Sequence, residues 1–294
     1  MTAVASPAEA PVRPSKPESP IPIARCAAAS MLVLAVLLLG FVGYLFGLSG
    51  IQESASQARL FSTFRYELGQ DLGPLGPYGA LGRTQLGAPV TVLDIPSIGI
   101  HDLVVVQGTA PEQMTLGPGH LRDTPLPGQA GLSVIYGRRA TFGSPFGQIG
   151  ELQAGAEIVA ITQQGTFVYK VAAIGDSQHP VHDSSLNRLV LLTASSSIVP
   201  SYYLEVDADL ASAPQNGPSV LPAIAPDEQA MAGDDSALAL TMVWGLALVI
   251  VSVGGAVAAS RWSFWPVYFV LVPAVLAIVW NLYENFASVL PNLF

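Results

Sequence analysis

The chain has 294 residues, 11% of them charged, a formal net charge of −9 and a mean hydropathy of +0.49. This charged fraction is well below the roughly 25% of soluble proteins, so part of the chain is predicted to lie in lipid. The negative charge excludes a nucleic-acid partner, which needs a basic surface. A single cysteine, Cys26, excludes a fold held by disulfides.

The first elements in chain order are a tail and a membrane span. Residues 1–26 are rich in proline and are predicted to be a disordered cytoplasmic tail. Ala27–Leu48 has no charged residue and is long enough to cross a bilayer. Arg13, Lys16 and Arg25 precede this span, which predicts that its N-terminus faces the cytoplasm.

Residues 49–87 are predicted to be a juxtamembrane helix followed by a linker rich in glycine and proline. Leu60, Phe61, Phe64 and Leu68 have helical spacing, which favours an amphipathic helix after the span. The segment from Gly69 to Gly87 contains the glycine and proline residues that are typical of a connector.

Residues 88–210 have the pattern of short strands separated by turns. Such a pattern predicts a closed barrel or a sandwich. The predicted strands are Val90–Ile95, Leu103–Gln107, Leu132–Tyr136, Glu157–Thr162, Thr166–Ile174, Arg188–Thr193 and Tyr202–Ala208.

A second linker and two further spans complete the chain. Residues 211–236 form the linker, and Ala237–Ala259 and Phe264–Tyr283 are the predicted spans. Arg261 in the short loop between these spans predicts that the loop is cytoplasmic, so the strand-rich domain and a tail of residues 284–294 lie outside the cell. This hairpin is either extra anchoring or a docking surface for another membrane protein.

Several motifs of the strand-rich domain resemble those of sortases, in particular the class E housekeeping enzymes of high-GC Gram-positive bacteria. The motifs are Asp94–Ile100, Gly117–His120, Thr124–Gly128, Ile135–Phe146 and Leu191–Ser195. The resemblance implies an eight-stranded β-barrel with a cleft that takes a C-terminal sorting signal. The expected fold is therefore mainly β, a sortase-like closed barrel outside the membrane with three transmembrane helices.

The resemblance also assigns three catalytic positions, and none of them holds the residue that the chemistry needs. Arg138 replaces the histidine, Ala194 the nucleophilic cysteine and Tyr203 the arginine. Alanine has no nucleophile, and an arginine does not exchange a proton near neutral pH. These changes predict a membrane-anchored pseudoenzyme that binds or scaffolds a surface-protein peptide or a membrane partner at the cell envelope.

The alternative is a hydrolase or transpeptidase that does not use cysteine. It would use a serine among residues 195–197, with His120 as the base. The cleft candidates are therefore His120, Arg138, Arg139, Thr193, Ser195 and Tyr203. The role of Arg138 is either to grip a peptide carboxylate or to pair internally with Asp123 or Glu151.

No metal or cofactor is predicted. The two histidines His179 and His182, with Asp183 beside them, have a spacing that could bind a metal. They lie on a loop that is predicted to be flexible, and no third ligand is defined.

Overall fold

A computed structural model describes residues 23–75, 78–79, 82–179, 185–196, 201–218, 221–261 and 264–294. The chain divides into two compact units, residues 1–41 and 42–294. The described part of the first unit consists of most of the first helix.

The described residues form four α-helices, in addition to short helical turns. They are α1 (Ile23–Gly43), α2 (Ser49–Gly69), α3 (Ala237–Arg261) and α4 (Phe264–Val289), with a π-helical turn at Tyr44–Leu48. Among the described residues, three helical stretches are long and apolar enough to cross a membrane, namely Ser30–Gly69, Ala237–Arg261 and Trp265–Val289. The prediction of three such segments is confirmed, and α4 runs six residues beyond the predicted end of its span.

The strands are β1 (Tyr78–Gly79), β2 (Gly82–Arg83), β3 (Pro89–Ile95), β4 (Ile100–Gln107), β5 (Gly119–His120), β6 (Leu132–Tyr136), β7 (Glu157–Thr162), β8 (Gly165–Asp176), β9 (Arg188–Ala194) and β10 (Tyr203–Leu210). β1 and β2 pair with each other, and the other eight strands close a barrel in the order β10-β8-β7-β3-β4-β5-β6-β9. The predicted mainly-β closed barrel is thus confirmed.

Alternation along the strands separates an interior from an exterior face. Leu189 and Leu191 of β9 point into the barrel core, together with apolar residues from β3, β4, β6, β7, β8 and β10. Val190, Leu192 and Ala194 of the same strand belong to a second apolar cluster on the outer face. Two of the three positions that the resemblance assigns to catalysis, Ala194 and Tyr203, belong to this second cluster.

Helix α2 packs on the opposite part of the barrel exterior. Phe64 joins Val92 of β3 and Val104 of β4 in a buried cluster, flanked by Leu60 and Phe61. The side chain of Gln57 bonds both the amide and the carbonyl of Val104, at 2.8 and 3.0 Å. The juxtamembrane helix is therefore fixed to β3 and β4 by the apolar stripe that its sequence predicted.

The segment 211–236 also packs on the barrel. The amide of Gln215 donates to the carbonyl of Gly128 at 2.8 Å, and its own carbonyl accepts the amide of Ala130 at 2.9 Å. Further along, Glu228 is buried and forms an ion pair with Arg122, in the loop that follows β5.

Candidate functional site

The ends of three neighbouring strands bring the assigned catalytic positions together. β9 runs parallel to β6 and antiparallel to β10, so the ends of β6 and β9 meet the beginning of β10. Ala194 lies directly opposite Tyr203 in the ladder, and Arg138 follows β6 after one glycine. The fold thus gathers at one barrel end the three residues that the sequence treats as replaced catalytic groups.

We call the outer face of these strand ends the Ala194 surface. It is defined by Tyr136 of β6, Leu192 and Ala194 of β9 and Tyr203 of β10. Ala194 is fully buried there, and the other three side chains line the same apolar cluster. The methyl group of Ala194 therefore occupies a dry position with no nucleophilic atom.

Arg138 is fully buried, and its guanidinium is satisfied within the protein. Its Nε donates to the carbonyl of Met114 at 3.1 Å, and its two terminal nitrogens donate to the carbonyl of Pro111 at 3.2 Å and the hydroxyl of Thr141 at 3.3 Å. The guanidinium carbon also lies 4.8 Å from the ring centroid of Phe142. The alternative that Arg138 forms an internal ion pair with Asp123 or Glu151 is wrong. Two carbonyls, a hydroxyl and an aromatic ring surround its guanidinium instead.

Burial lowers the pKa of Arg138 to about 10. At neutral pH the side chain is still a cation, because this value is well above 7. A buried cation with engaged donors cannot take up the proton that an acid–base histidine would transfer.

The loop after Arg138 has a main chain that requires positive φ angles. Phe142, Gly143 and Ser144 have φ values of 48°, 75° and 52°, in the left-handed region. The Phe142 amide donates to the hydroxyl of Ser49 in α2 at 3.0 Å. A Cβ on Gly143 would lie 2.5 Å from a carboxylate oxygen of Glu53, so the glutamate would have to move, and the φ of 75° also favours glycine at this position.

Phe142 also connects the site to the helices. Its ring lies edge-on to Tyr44 in the π-helical turn, with centroids 6.4 Å apart. Tyr44 in turn contacts Trp280 and Tyr283 of α4, at 5.4 and 5.9 Å. An aromatic chain thus runs from the guanidinium of Arg138 to α4.

Arg139 and Thr193 hold the strand ends together. A guanidinium nitrogen of Arg139, which is half-buried, donates to the carbonyl of Ala194 at 3.2 Å. The buried hydroxyl of Thr193 donates to the carbonyl of Gly137 at 2.8 Å. Arg139 is the cation nearest to solvent at this site, and Thr193 faces the side of β9 opposite to Ala194.

His120 lies on a different face from Ala194. It pairs across β5 and β6 with Ile135, which belongs to the barrel core, and it is fully buried. Its Nε2 bonds the carbonyl of Pro125 at 2.9 Å, and its Nδ1 contacts the side-chain amide of Gln107 at 3.1 Å. Burial lowers the pKa of His120 to about 4, so the ring is neutral at pH 7.

Ser195 and His179 are both outside the Ala194 surface. The amide of Ser195 donates to the carbonyl of Tyr202 at 2.9 Å, which continues the β9–β10 ladder by one residue. His179 is exposed and lies 3.3 Å from the carboxylate of Asp176. Within the described ranges, no three His, Cys, Asp or Glu side chains are grouped to hold a metal ion. Ser197, His182 and Asp183 lie outside those ranges.

Two segments that the sequence did not place at the site cover the Ala194 surface. Leu293, near the end of the chain, is fully buried in the same cluster as Ala194. Ile224, Ala230 and Met231 from the segment 211–236 pack against that cluster. The one sequence signal for this arrangement is the apolar character of residues 290–294. These residues lie outside the predicted span, in a tail where polar residues are expected.

Comparisons with known proteins agree with this architecture. Residues 93–194 match the family model of the sortase domain. Sortase D of Bacillus subtilis (strain 168) is 29% identical over 123 residues, 42% of this chain and 51% of that protein. The chain therefore spans about half the length of this curated relative.

Solved sortase structures also match part of the chain. Sortase E1 from Streptomyces coelicolor, solved with a tripeptide in the active site, is 26% identical over 43% of this chain and 90% of that chain, with a TM-score of 0.39. Sortase E from Streptomyces avermitilis is 29% identical over 44% and 91%, with a TM-score of 0.38.

The closed barrel and its motif order define a mainly-β domain with sortase architecture. The match to the family model of the sortase domain, over residues 93–194, lies within this barrel.

Proposed function

We propose that this chain is a membrane-anchored sortase-like protein without transpeptidase chemistry, which binds or scaffolds a partner at the cell envelope. The observation that carries the proposal is Ala194, a buried methyl group at the position that the resemblance assigns to the nucleophile. Cysteine transpeptidation begins with a thiolate. Loss of the nucleophile alone costs on the order of 10⁶ in kcat in a triad enzyme.

The environment of Arg138 supports the same proposal. Its guanidinium contacts the carbonyls of Met114 and Pro111, the hydroxyl of Thr141 and the ring of Phe142, all within the protein. Such a residue stabilises the loop after β6 and offers neither an acid nor a base to a substrate.

The proposed partner is a peptide segment of a surface protein, or another envelope protein, that binds at the Ala194 surface. Tyr203 and Leu192 offer apolar contact there, and Arg139 supplies a partly exposed cation. The basic residues before the first span and Arg261 between the last two spans support a cytoplasmic N-terminus and an extracytoplasmic barrel.

A serine hydrolase on the same barrel is the second reading, and the described residues offer little in its favour. A serine nucleophile requires a base within hydrogen-bond distance. His120, the base that the sequence suggested, faces the barrel interior and is engaged by Pro125 and Gln107.

The proposal is tested with the full chain in lipid nanodiscs, incubated with a fluorogenic sorting-signal peptide and an amine acceptor. An active sortase with its own sorting-signal peptide is the positive control. We expect no cleavage or transfer above the rate without protein. Turnover that is lost in a Ser195→Ala variant would instead support the hydrolase, and any other turnover would also overturn the pseudoenzyme.

Binding is tested by placing a photoreactive amino acid at Tyr203 in cells, with the same residue at Leu186 as the control. Leu186 is 84% exposed and is remote from the Ala194 cluster. We expect a crosslink from position 203 to one defined segment of an envelope protein. Crosslinks that are equal at both positions would contradict binding at the Ala194 surface.

A further inference from the structure

The Ala194 surface already holds a peptide, and that peptide belongs to this chain. We call residues 290–294 the tail segment. We propose that the tail segment is a resident ligand of the Ala194 surface, bound in cis, which a partner peptide must displace. The inference rests on the proposed function, because it names what occupies the surface to which partner binding is assigned.

The main chain of the tail segment is held by the loop that follows β6. The amide of Arg139 donates to the carbonyl of Leu293 at 3.0 Å. The main-chain oxygen of Phe294 accepts the hydroxyl of Thr141 at 2.8 Å and the amides of Thr141 and Ala140 at 3.3 and 3.4 Å. The tail segment itself is a turn, in which the amide of Phe294 donates to the carbonyl of Pro291 at 3.0 Å, so these bonds hold a folded peptide against the loop.

The side chain of Leu293 is the apolar anchor of the tail segment. It is fully buried among Met114, Tyr136, Leu192 and Ala194, on the face that would otherwise be the open cleft. Burial of one leucine is a large part of the affinity of a short peptide.

Asn292 fixes the tail segment through specific hydrogen bonds. Its side-chain amide donates to the carbonyls of Thr109 and Gln229 at 2.8 and 2.9 Å, and its main-chain amide donates to the carbonyl of Ala232 at 2.8 Å. Its Oδ1 is buried with no hydrogen-bond partner among the described residues. A buried acceptor without a partner is unfavourable, so this asparagine fits a role in fixing the register of the tail segment better than a purely stabilising role.

The tail segment also contacts the helices. It begins directly after α4, which ends at Val289, and the ring of Phe294 lies edge-on to Phe46 at 6.3 Å. A ligand tethered so closely has a high effective concentration at its site. A partner peptide in solution therefore competes poorly until the tail segment is released.

The experiment uses a thiol placed at the site in the full chain. Cys26, the only cysteine, is replaced by serine, and Ala194→Cys supplies one thiol at the buried position. Its rate of labelling by a maleimide is measured in nanodiscs for this parent, for Leu293→Ser and for a deletion of residues 290–294. Leu186→Ser is the matched control, because it makes the same change at an exposed leucine.

We expect slow labelling in the parent and in the Leu186→Ser control, and labelling at least about tenfold faster in the two tail variants. A synthetic peptide with the sequence of residues 288–294 should restore protection to the deletion variant, which also shows that this variant is folded. The same peptide with serine in place of Leu293 should not restore it.

Labelling of the deletion variant at the parent rate would overturn the proposal. Faster labelling that the peptide does not reverse would show that the tail segment is a cover and not a ligand, and would also overturn it. Protection that depends on protein concentration would assign the bound tail to a second copy and contradict binding in cis. None of these outcomes depends on an envelope partner or on turnover, so a failure here is separate from a failure of the proposed function.

Discussion

The guanidinium carbon of Arg138 lies 4.8 Å from the ring centroid of Phe142, and the same ring is edge-on to Tyr44 at 6.4 Å. A buried cation at the assigned histidine position is thus in contact, through one phenylalanine, with the helical turn that packs on α4. The surroundings of Arg138 and the contact between barrel and helices therefore share residues, and substitutions there are expected to affect stability as much as binding.

Arg138→Met is expected to lower the free energy of unfolding by roughly 2–4 kcal/mol, because it leaves the buried carbonyls of Met114 and Pro111 without their donor. The measurement is chemical unfolding of the full chain in detergent. Arg59→Met removes an exposed arginine from α2 and should change the same quantity by less than about 0.5 kcal/mol. Equal effects of the two substitutions would show that the buried contacts of Arg138 contribute nothing.

Stability is expected to fall as the pH is lowered from about 6.5 to about 4, because of His120. Burial lowers the pKa of His120 from 6.5 to about 4, so the unfolded chain binds a proton in this window that the folded chain does not. The contribution is fully present above the unfolded value and is lost as the pH approaches the folded value. Its size is up to roughly 3 kcal/mol.

The melting temperature measured at several pH values tests this, with His120→Gln as the variant. The variant should show a shallower dependence between pH 6.5 and 4, whereas His101→Gln, at an exposed position, should keep the parent slope. A parent slope in His120→Gln would contradict the assignment.

Glu228→Gln is expected to release the segment 211–236 from the barrel. Burial alone would raise the pKa of Glu228, but the hydrogen bonds from Arg122 and from the amide of Ala225 lower it below its usual value. The carboxylate is 2% exposed and bonds the Nε of Arg122 at 2.6 Å. Removing one member of a buried pair costs about 3–5 kcal/mol.

Limited proteolysis with proteinase K measures this release, and we expect faster cleavage within residues 211–236 of the variant. Asp235→Asn removes an exposed charge from the same segment and should leave the cleavage rate unchanged. If both variants were cleaved at the parent rate, the ion pair would not be what holds the segment.

Tyr44→Ala is expected to loosen the loop at residues 141–146, because its ring contacts Phe142 on one side and Trp280 and Tyr283 on the other. Removal of a buried aromatic ring costs about 3–5 kcal/mol. Hydrogen exchange of the loop amides should become faster. Tyr66→Ala, at a side chain that is 66% exposed, is the control, and faster exchange in both variants would contradict the role of Tyr44.

Local pattern was sufficient to predict the barrel strands. Leu132–Tyr136 and Glu157–Thr162 were predicted with the bounds that the structure has, because apolar residues that form strands lie between clear turn residues. β5 was missed: Gly119 and His120 form only two residues of strand and have no pattern of their own. Their pairing with β4 and β6 is set by the closure of the barrel.

The site was predictable only in part, because its contacts are long-range. The resemblance to sortases predicts that Arg138, Ala194 and Tyr203 stand at catalytic positions, and the fold places the three residues at one barrel end. Arginine is rarely fully buried, and carbonyl partners such as those of Met114 and Pro111 leave no sequence pattern. The burial of Leu293 against β9 joins residues about 100 positions apart, which no local periodicity records.

The left-handed backbone of Phe142, Gly143 and Ser144 limits which parts of this protein can be exchanged for those of another. Two of these three residues carry side chains that disfavour this backbone, so their conformation is imposed by neighbours. Those neighbours include Ser49, which accepts the Phe142 amide, and Glu53, which lies against Gly143. Helix α2 is therefore not an interchangeable tether: a chimera that kept the barrel but took α2 from another protein would lose the surface that shapes this loop.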